Sequence, residues 1–354
     1  MSYSNTIKRA WAGNRLMSVL LELTYACNLD CTFCYNDLAR DGQQLSLEQY
    51  RQLLDDLAEL GILNLSLSGG EPLAHPRFFD IANHARSLGF VIRLKTNGHA
   101  VRPATAERIR NEVDPFVIEV SIHGASAETH DRQTRVAGSF ERLIDNVRTM
   151  KSLGLRVKAN SVLTRWNEDE VEGMLALYDE LGVLFQIDPE VKPRDDGDRE
   201  PLAIEASVEG QARYRRALEA RANRDDPDID TASREAGREP RVARTDKHCG
   251  AGSNNIAIDP YGNVLPCVQW RVPVGNLHDQ RIAEIWEKSV GLQDVRETTK
   301  AARRMLEGLG DAAVRSNFCP GAAQVYSGDP LALYPAVEQR IAASARARVR
   351  LAVL

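Results

Sequence analysis

Between residues 18 and 189, six apolar strand-like runs alternate with stretches of helical periodicity. The runs lie at 19–23, 62–67, 90–95, 116–122, 155–163 and 183–187, and the helical stretches at 47–60, 76–88, 103–112, 139–153 and 168–181. Strands this apolar, separated by helices, predict an α/β fold with a parallel sheet covered on both faces. Six βα steps fall short of a closed eight-stranded barrel, so they suit a partial, open (β/α)6 TIM-type barrel or a doubly wound sheet. Both architectures put function at the carboxyl ends of the strands. Ser46 with Gln49 and Asn167 with Glu170 read as capping boxes, and Gly61, Gly89, Gly154 and Gly182 sit where helices should stop.

Beyond this unit, taken as 15–190, the text changes. Residues 191–245 are acidic and arginine-rich around one helix near 207–223, which reads as a solvated linker rather than a docking surface. A smaller α+β domain is expected at 246–326. Its clearest piece is a hairpin, with 255–258 and 264–268 flanking an Asp259-Pro260-Tyr261-Gly262-Asn263 turn. Residues 327–354 read as an Arg/Ala-rich helix or tail.

Several function classes are disfavoured early. A formal charge of −5 and a pI near 5.9 argue against a nucleic-acid surface. No apolar run approaches the roughly 18 residues that span a bilayer, and the first dozen residues lack the apolar core of a secretory signal. A cytoplasmic chain without membrane or nucleic-acid partners is expected. In that reducing setting its six cysteines are metal ligands, catalysts or core groups rather than disulfides.

Three of those cysteines, Cys27, Cys31 and Cys34, fall in a loop directly after the first strand. Three thiolates this close can bind three irons of a cubane and leave the fourth open to a chelating ligand. Zinc is the alternative, but it normally takes four ligands, and no nearby histidine supplies the fourth. The second strand ends in Ser68-Gly69-Gly70-Glu71-Pro72, the third in Thr96-Asn97-Gly98, and the fourth in Ser121-Ile122-His123-Gly124. Bare glycines let a backbone approach a ligand closely, and a carboxylate such as Glu71 can pair with an ammonium.

The cysteine spacing, Phe33 before the last cysteine and these strand ends together resemble the radical S-adenosylmethionine (SAM) superfamily. The resemblance implies that Cys27, Cys31 and Cys34 hold a SAM-binding [4Fe–4S] cluster. It also implies that Gly69, Gly70, Glu71 and Pro72 meet the amino group of SAM, with Asn97 and Ser121 lining the rest of its pocket. His123 stands where the family usually has aspartate. Arg135, one residue off the family register, is a candidate for the SAM carboxylate. Asn160 and Leu163 on the fifth strand are further candidate contacts.

The other cysteines are Cys249, Cys267 and Cys319; Gly262 lies between the first two, and Val274-Gly275-Asn276-Leu277, Ile282 and Ile285-Trp286 follow. This resembles the SPASM and twitch extensions of radical SAM enzymes, in a shortened form with three cysteines. It implies one auxiliary [4Fe–4S] cluster whose fourth iron is open or filled by a group such as His248 or His278.

The chemistry implied is reductive cleavage of SAM to a 5′-deoxyadenosyl radical that abstracts a substrate hydrogen. Most named relatives with such extensions modify ribosomally made peptides, so oxidative crosslinking or other modification of a peptide is expected. Only about 18 residues precede the first strand, which leaves no room for a peptide-recognition domain and implies a separate carrier protein or none. An electron donor such as flavodoxin or ferredoxin is also implied. The alternatives are radical dehydrogenation or rearrangement of a small alcohol or sugar, and an Fe–S electron carrier without SAM chemistry. No general base stands out; Asp188 and Glu190, just past the sixth strand, are positional candidates.

Overall fold

The computed structural model describes residues 3–37, 40–225 and 245–352. Helix α1 (Tyr3–Ala12) leads into strand β1 (Ser18–Glu22). There follow α2 (Leu47–Glu59), β2 (Asn64–Ser68), α3 (Phe78–Ser87), β3 (Val91–Thr96), α4 (Pro103–Arg108) and β4 (Val117–Ser121). Two helices, α5 (Ala127–Thr134) and α6 (Ser139–Ser152), precede β5 (Val157–Val162); α7 (Val171–Glu180) then leads to β6 (Leu184–Asp188). The strands pair in sequence order, all parallel, from β1 to β6. A doubly wound sheet would reverse its order at a switch point. This one never does, so the open barrel is the outcome.

Local signals account for most boundaries. Ser46 caps α2 in a reciprocal box with Gln49. Gly61, Gly89, Gly154 and Gly182 all take positive φ after their helices. The second expected box does not form. The Asn167 carbonyl oxygen accepts from the Thr164 amide, and Glu170 reaches across to Ala125, Ser126 and Thr129 instead of capping its own helix. Helix α5, which no segment of the sequence reading anticipated, is what those contacts anchor.

The strands are also less uniformly apolar than expected. On β3, Ile92 and Leu94 are buried against the helical layer, while Arg93 and Lys95 face the other way. On β4 and β5, Ile118, Val120, Val157 and Ala159 join the same core, formed with Leu53, Leu57, Ile81, Val147 and Met174 of the helices. One face of each strand therefore packs on helices, and the other lines a polar lumen.

The C-terminal part is not a detached unit. Strand β7 (Asn255–Ile258) pairs in parallel with β1, and β8 (Asn263–Leu265) and β9 (Gly275–Asn276) extend the same sheet antiparallel. The hairpin turn is tied by Asp259, whose carboxylate accepts from the Tyr261 and Asn263 amides. Helices Ile282–Lys288, Val290–Gly308, Asp311–Val314, Pro320–Ser327 and Pro335–Ala352 complete this half. Of the stretch read as a linker, helix α8 (Val208–Asp225) is present, and 226–244 lies outside the described residues.

Part of that stretch is buried. Asp195 pairs with Arg271 at 2.9 Å, and Arg271 also makes a bidentate pair with Glu22 at 2.7 and 2.9 Å. The Arg271 side chain is 3% exposed and that of Glu22 0%. Removing one partner of such a buried pair strands the other charge, at a cost of about 3–5 kcal/mol. Arg271→Ala is therefore expected to lower the urea midpoint by the equivalent of that loss, and Arg271→Lys to recover only part of it because lysine lacks the bidentate fork.

Candidate active site

A cavity of about 500 Å³ opens at the carboxyl ends of β1–β6 and is lined by Cys27, Cys31 and Cys34. The cysteine loop is pinned to α5 through Asp30 N to Thr134 O and Thr32 N to Gln133 O, and turns on a Cys34 N to Cys31 O bond of 3.0 Å. Asn36 is fixed between Arg271 and the Gly69 carbonyl. Burial pushes all three thiols up, Cys34 to about 11, and for Cys31 the neighbouring Cys34 and Cys27 add to it. Three thiolates gathered this way need a cationic partner. Among the described residues no group of three His, Cys, Asp or Glu side chains is set to hold a single metal ion. The Cys27 sulfur accepts from Leu29 N at 3.4 Å and Asn97 Nδ2 at 3.8 Å, the kind of contact that stabilises a ligating thiolate.

Gly69 and Gly70 line the cavity, but the packing that requires them is with the cysteine loop. A Cβ on Gly69 would run into the Thr24 carbonyl, and one on Gly70 would lie 2.5 Å from the Tyr25 oxygen. Bare glycine lets Gly70 N reach Thr24 O at 2.8 Å, and Glu71 N then bonds Ala26 O at 2.9 Å. The Gly-Gly pair thus clamps β2 to the segment that delivers Cys27.

Glu71 lies behind the cavity wall and is not among the residues lining it. Its carboxylate is 1% exposed and accepts from Thr96 Oγ1, Asn97 N and Leu73 N at 2.8–3.1 Å. Burial raises it to about 6 against those donors. It anchors the β3 turn and so positions Asn97. Pro72 is buried at the start of the following short turn. Ser121, His123 and Asn160 line the cavity, as do Asp188 and Glu190. The His123 ring packs on Phe33 with centroids 4.4 Å apart, and burial keeps it neutral.

Two candidates fall elsewhere. Arg135, at φ 57°, pairs with Asp30 and Glu200 at 3.3 and 3.0 Å, and is not among the residues lining the cavity. Leu163 is fully buried in the core. Glu190 accepts from Arg340 at 3.0 Å and keeps its second oxygen unpartnered. The cavity also takes in Lys95, Glu119, Gln186, Lys192, Val268 and Gln269, which sequence reasoning missed. The period-two polar positions on β3–β6 were the available signal for three of them.

The second cysteine set gathers near the same cavity. Cys249 and Cys267 pack on Ala251, Trp270 and Val295. Burial pushes their thiols up to about 12 and about 11, with Cys267 and Cys319 adding to it at Cys249 and Cys319 adding to it at Cys267. Cys319 caps helix Pro320–Ser327, its sulfur accepting from Ala322 N at 3.5 Å. Val268 and Gln269, next to Cys267, reach the cavity wall. His278 is not placed to ligate here, since its two ring nitrogens meet Gln49 and the Gln43 carbonyl. His248 uses Nε2 on the Phe318 carbonyl at 2.7 Å.

Residues 21–178 match the Radical SAM superfamily, and residues 249–307 match SPASM, an iron–sulfur cluster-binding domain. The chain is 30% identical to pre-heme d1 synthase of Dinoroseobacter shibae, over 94% of this chain and 89% of that one. The chain belongs to the radical SAM superfamily. Mycofactocin maturase MftC of Mycolicibacterium smegmatis is 28% identical, over 88% of this chain and 79% of that one. PqqA peptide cyclase of Xanthomonas oryzae is also 28% identical, over 94% and 90%. The Streptococcus suis SuiB structure bound to S-adenosylmethionine superposes with a TM-score of 0.70 at 15% identity, covering 92% of this chain and 77% of that one, and shares the fold. This radical SAM enzyme therefore has SAM, a [4Fe–4S] cluster and an auxiliary cluster as cofactors. No helix among the described residues is long and apolar enough to cross a membrane.

Anaerobically reconstituted protein is expected to bind about eight irons, for two four-iron clusters. Iron analysis of the Cys249→Ala/Cys267→Ala/Cys319→Ala variant should fall to about four; an unchanged count would exclude the second site.

Proposed function

We propose that Cys27, Cys31 and Cys34 hold the SAM-binding cluster, that Cys249, Cys267 and Cys319 hold the auxiliary one, and that the enzyme oxidatively crosslinks or otherwise modifies a ribosomally made peptide. One observation carries this reading: the first cysteine set lines the cavity, and the second adjoins it through Val268 and Gln269. The cavity would thus have Cys27, Cys31 and Cys34 in its wall to hold one cluster, and Cys267 just behind Val268 to help hold the other. When bound, the first cluster supplies the electron that splits SAM into methionine and a 5′-deoxyadenosyl radical, which takes a substrate hydrogen. The chain's own residues do the rest. Gly69 and Gly70 set the wall beside Cys27, while Asn97 and Ser121 offer polar groups to SAM. Phe33 and the neutral His123 form an apolar side that keeps water from the radical. Glu190, held by Arg340 and with one oxygen unpartnered, is the better placed of the two candidate bases. Asp188 is engaged by the Glu190 amide and sits 3.8 Å from Lys192.

The peptide reading draws on the relative named PqqA peptide cyclase. A separate carrier protein for the peptide, and flavodoxin or ferredoxin as electron donor, belong to the same proposal. The relative named pre-heme d1 synthase supports a second reading, a substrate of the heme-precursor type. Nothing in these relatives favours the small alcohol or sugar.

Reduced, reconstituted enzyme is expected to convert SAM to methionine and 5′-deoxyadenosine, and Cys34→Ala to abolish this; chromatography of the products checks both. Deuterium transferred into 5′-deoxyadenosine from a labelled peptide encoded beside the gene supports the first substrate class. Transfer from a labelled heme precursor alone would replace it with the second.

A further inference from the structure

The inner faces of β3–β6 carry a charge pattern that SAM cleavage leaves unused. Side chains alternate along a strand, and here Arg93, Lys95, Glu119, Lys158, Asn160 and Gln186 share the lumen side. Register places Lys95 beside Glu119 and Glu119 beside Lys158 across neighbouring strands. Glu119 takes both Arg93 and Lys95, at 2.9 Å from Arg93 Nε and 2.6 Å from Lys95 Nζ, and also accepts from Asn160 at 2.7 Å. Its burial would raise it, but these cations outweigh that and hold it at about 2. Lys158 has the Gln186 side-chain oxygen at 2.7 Å and no carboxylate at ion-pair distance among the described residues. Three cations thus surround one carboxylate, which leaves two positive charges uncompensated. The nearby Asp188 and Lys192 form their own pair.

Lys95, Glu119, Asn160 and Gln186 line the cavity and form its floor, while Lys158, bonded to Gln186, and Arg93 stand behind them, outside its lining. The floor is open to solvent at one side because β6 ends the sheet, and Leu184 there is 74% exposed. In the same row, Asn160 donates to Glu119 and keeps its oxygen buried and unpartnered.

We infer that this row is a subsite for a carboxylate of the substrate, received at the cavity wall by Lys95, with the charges of Lys158 and Arg93 behind it. The inference rests on reading the cavity as the substrate site. It names a carboxylate rather than a phosphate because both substrate classes supported above, peptides and heme precursors, carry carboxylates. Lys95 is a point charge shared with Glu119 and the Arg93 guanidinium is committed to the same carboxylate, so the row suits a single carboxylate better than a fork-bound phosphate.

The test measures binding to anaerobically reconstituted enzyme. One pair of probes is a labelled Glu/Gly peptide and its Gln/Gly counterpart; the other is coproporphyrin and its tetramethyl ester. Preference for the acidic member of either pair, weakening with added KCl, is expected. Lys158→Met should reduce it about tenfold, the loss of one of the two uncompensated charges behind Lys95. Lys158→Arg should retain the preference and Lys158→Glu remove it, with iron content and circular dichroism as the check on folding. The pair that shows the preference identifies the carboxylate's source. Equal binding of acidic and neutral probes overturns the inference, as does an acidic preference unmoved by the folded Lys158 variants, or stronger competition by inorganic phosphate than by acetate. Should the Lys158 variants not fold, the wild-type probe pairs and their salt dependence decide alone. Wild-type enzyme that cleaves SAM but ignores probe charge fails this inference only. Enzyme that prefers acidic probes without cleaving SAM fails the reading of the cavity instead.

Discussion

The guanidinium of Arg271 is the point on which the two halves of the molecule meet. It comes from the loop after the C-terminal hairpin, and it binds Glu22 at the end of the first strand, Asn36 just after the cysteine loop, and Asp195 in the segment past the sixth strand. Tyr35 lies against its face, 5.6 Å away. Taking three charges out of water is costly, and the arrangement is sustained only because nearly every donor finds an acceptor. Burial raises Asp195 to about 7 in spite of Arg271. The carboxylate of Glu22, fully buried and doubly bonded, is the firmer partner.

That contact has functional consequences because of where it sits. It fixes the exit of the cysteine loop while the Gly69–Gly70 clamp fixes its entry. Cys27, Cys31 and Cys34 are thus held at both ends by elements far apart in sequence. The same arginine lies four residues beyond Cys267, so the second cysteine set is placed relative to the first by a short, rigid stretch rather than by a flexible linker. The shared sheet, with β7 paired directly to β1, reinforces that rigidity. The cysteine loop and Cys267 are thereby held at a fixed separation.

Glu71 and Arg135 show how a residue's place in a sequence pattern and the direction of its side chain are set separately. Glu71 belongs to a strand-end signature, and its carboxylate sets the neighbouring turn and so works on the site at one remove. Arg135 sits close in sequence to cavity-lining His123, yet a left-handed backbone and two carboxylates direct it outward. A spacing pattern records which residues recur together and does not record which way each side chain faces.

The order of strands and helices, the α2 cap and the helix-ending glycines were legible in the sequence, because they depend on local periodicity and on backbone preferences of single residues. So were the two cysteine sets, since thiols in such numbers and spacings have few other uses. Tertiary structure decided the rest. It extended one sheet through both halves, buried Asp195 in a stretch that reads as solvated, occupied both nitrogens of His278, and joined Arg93, Lys95, Glu119 and Lys158 into one charged row across three strands. Those outcomes depend on strand order and register, which bring together residues tens of positions apart. No local pattern encodes that distance, and only the folded chain supplies it.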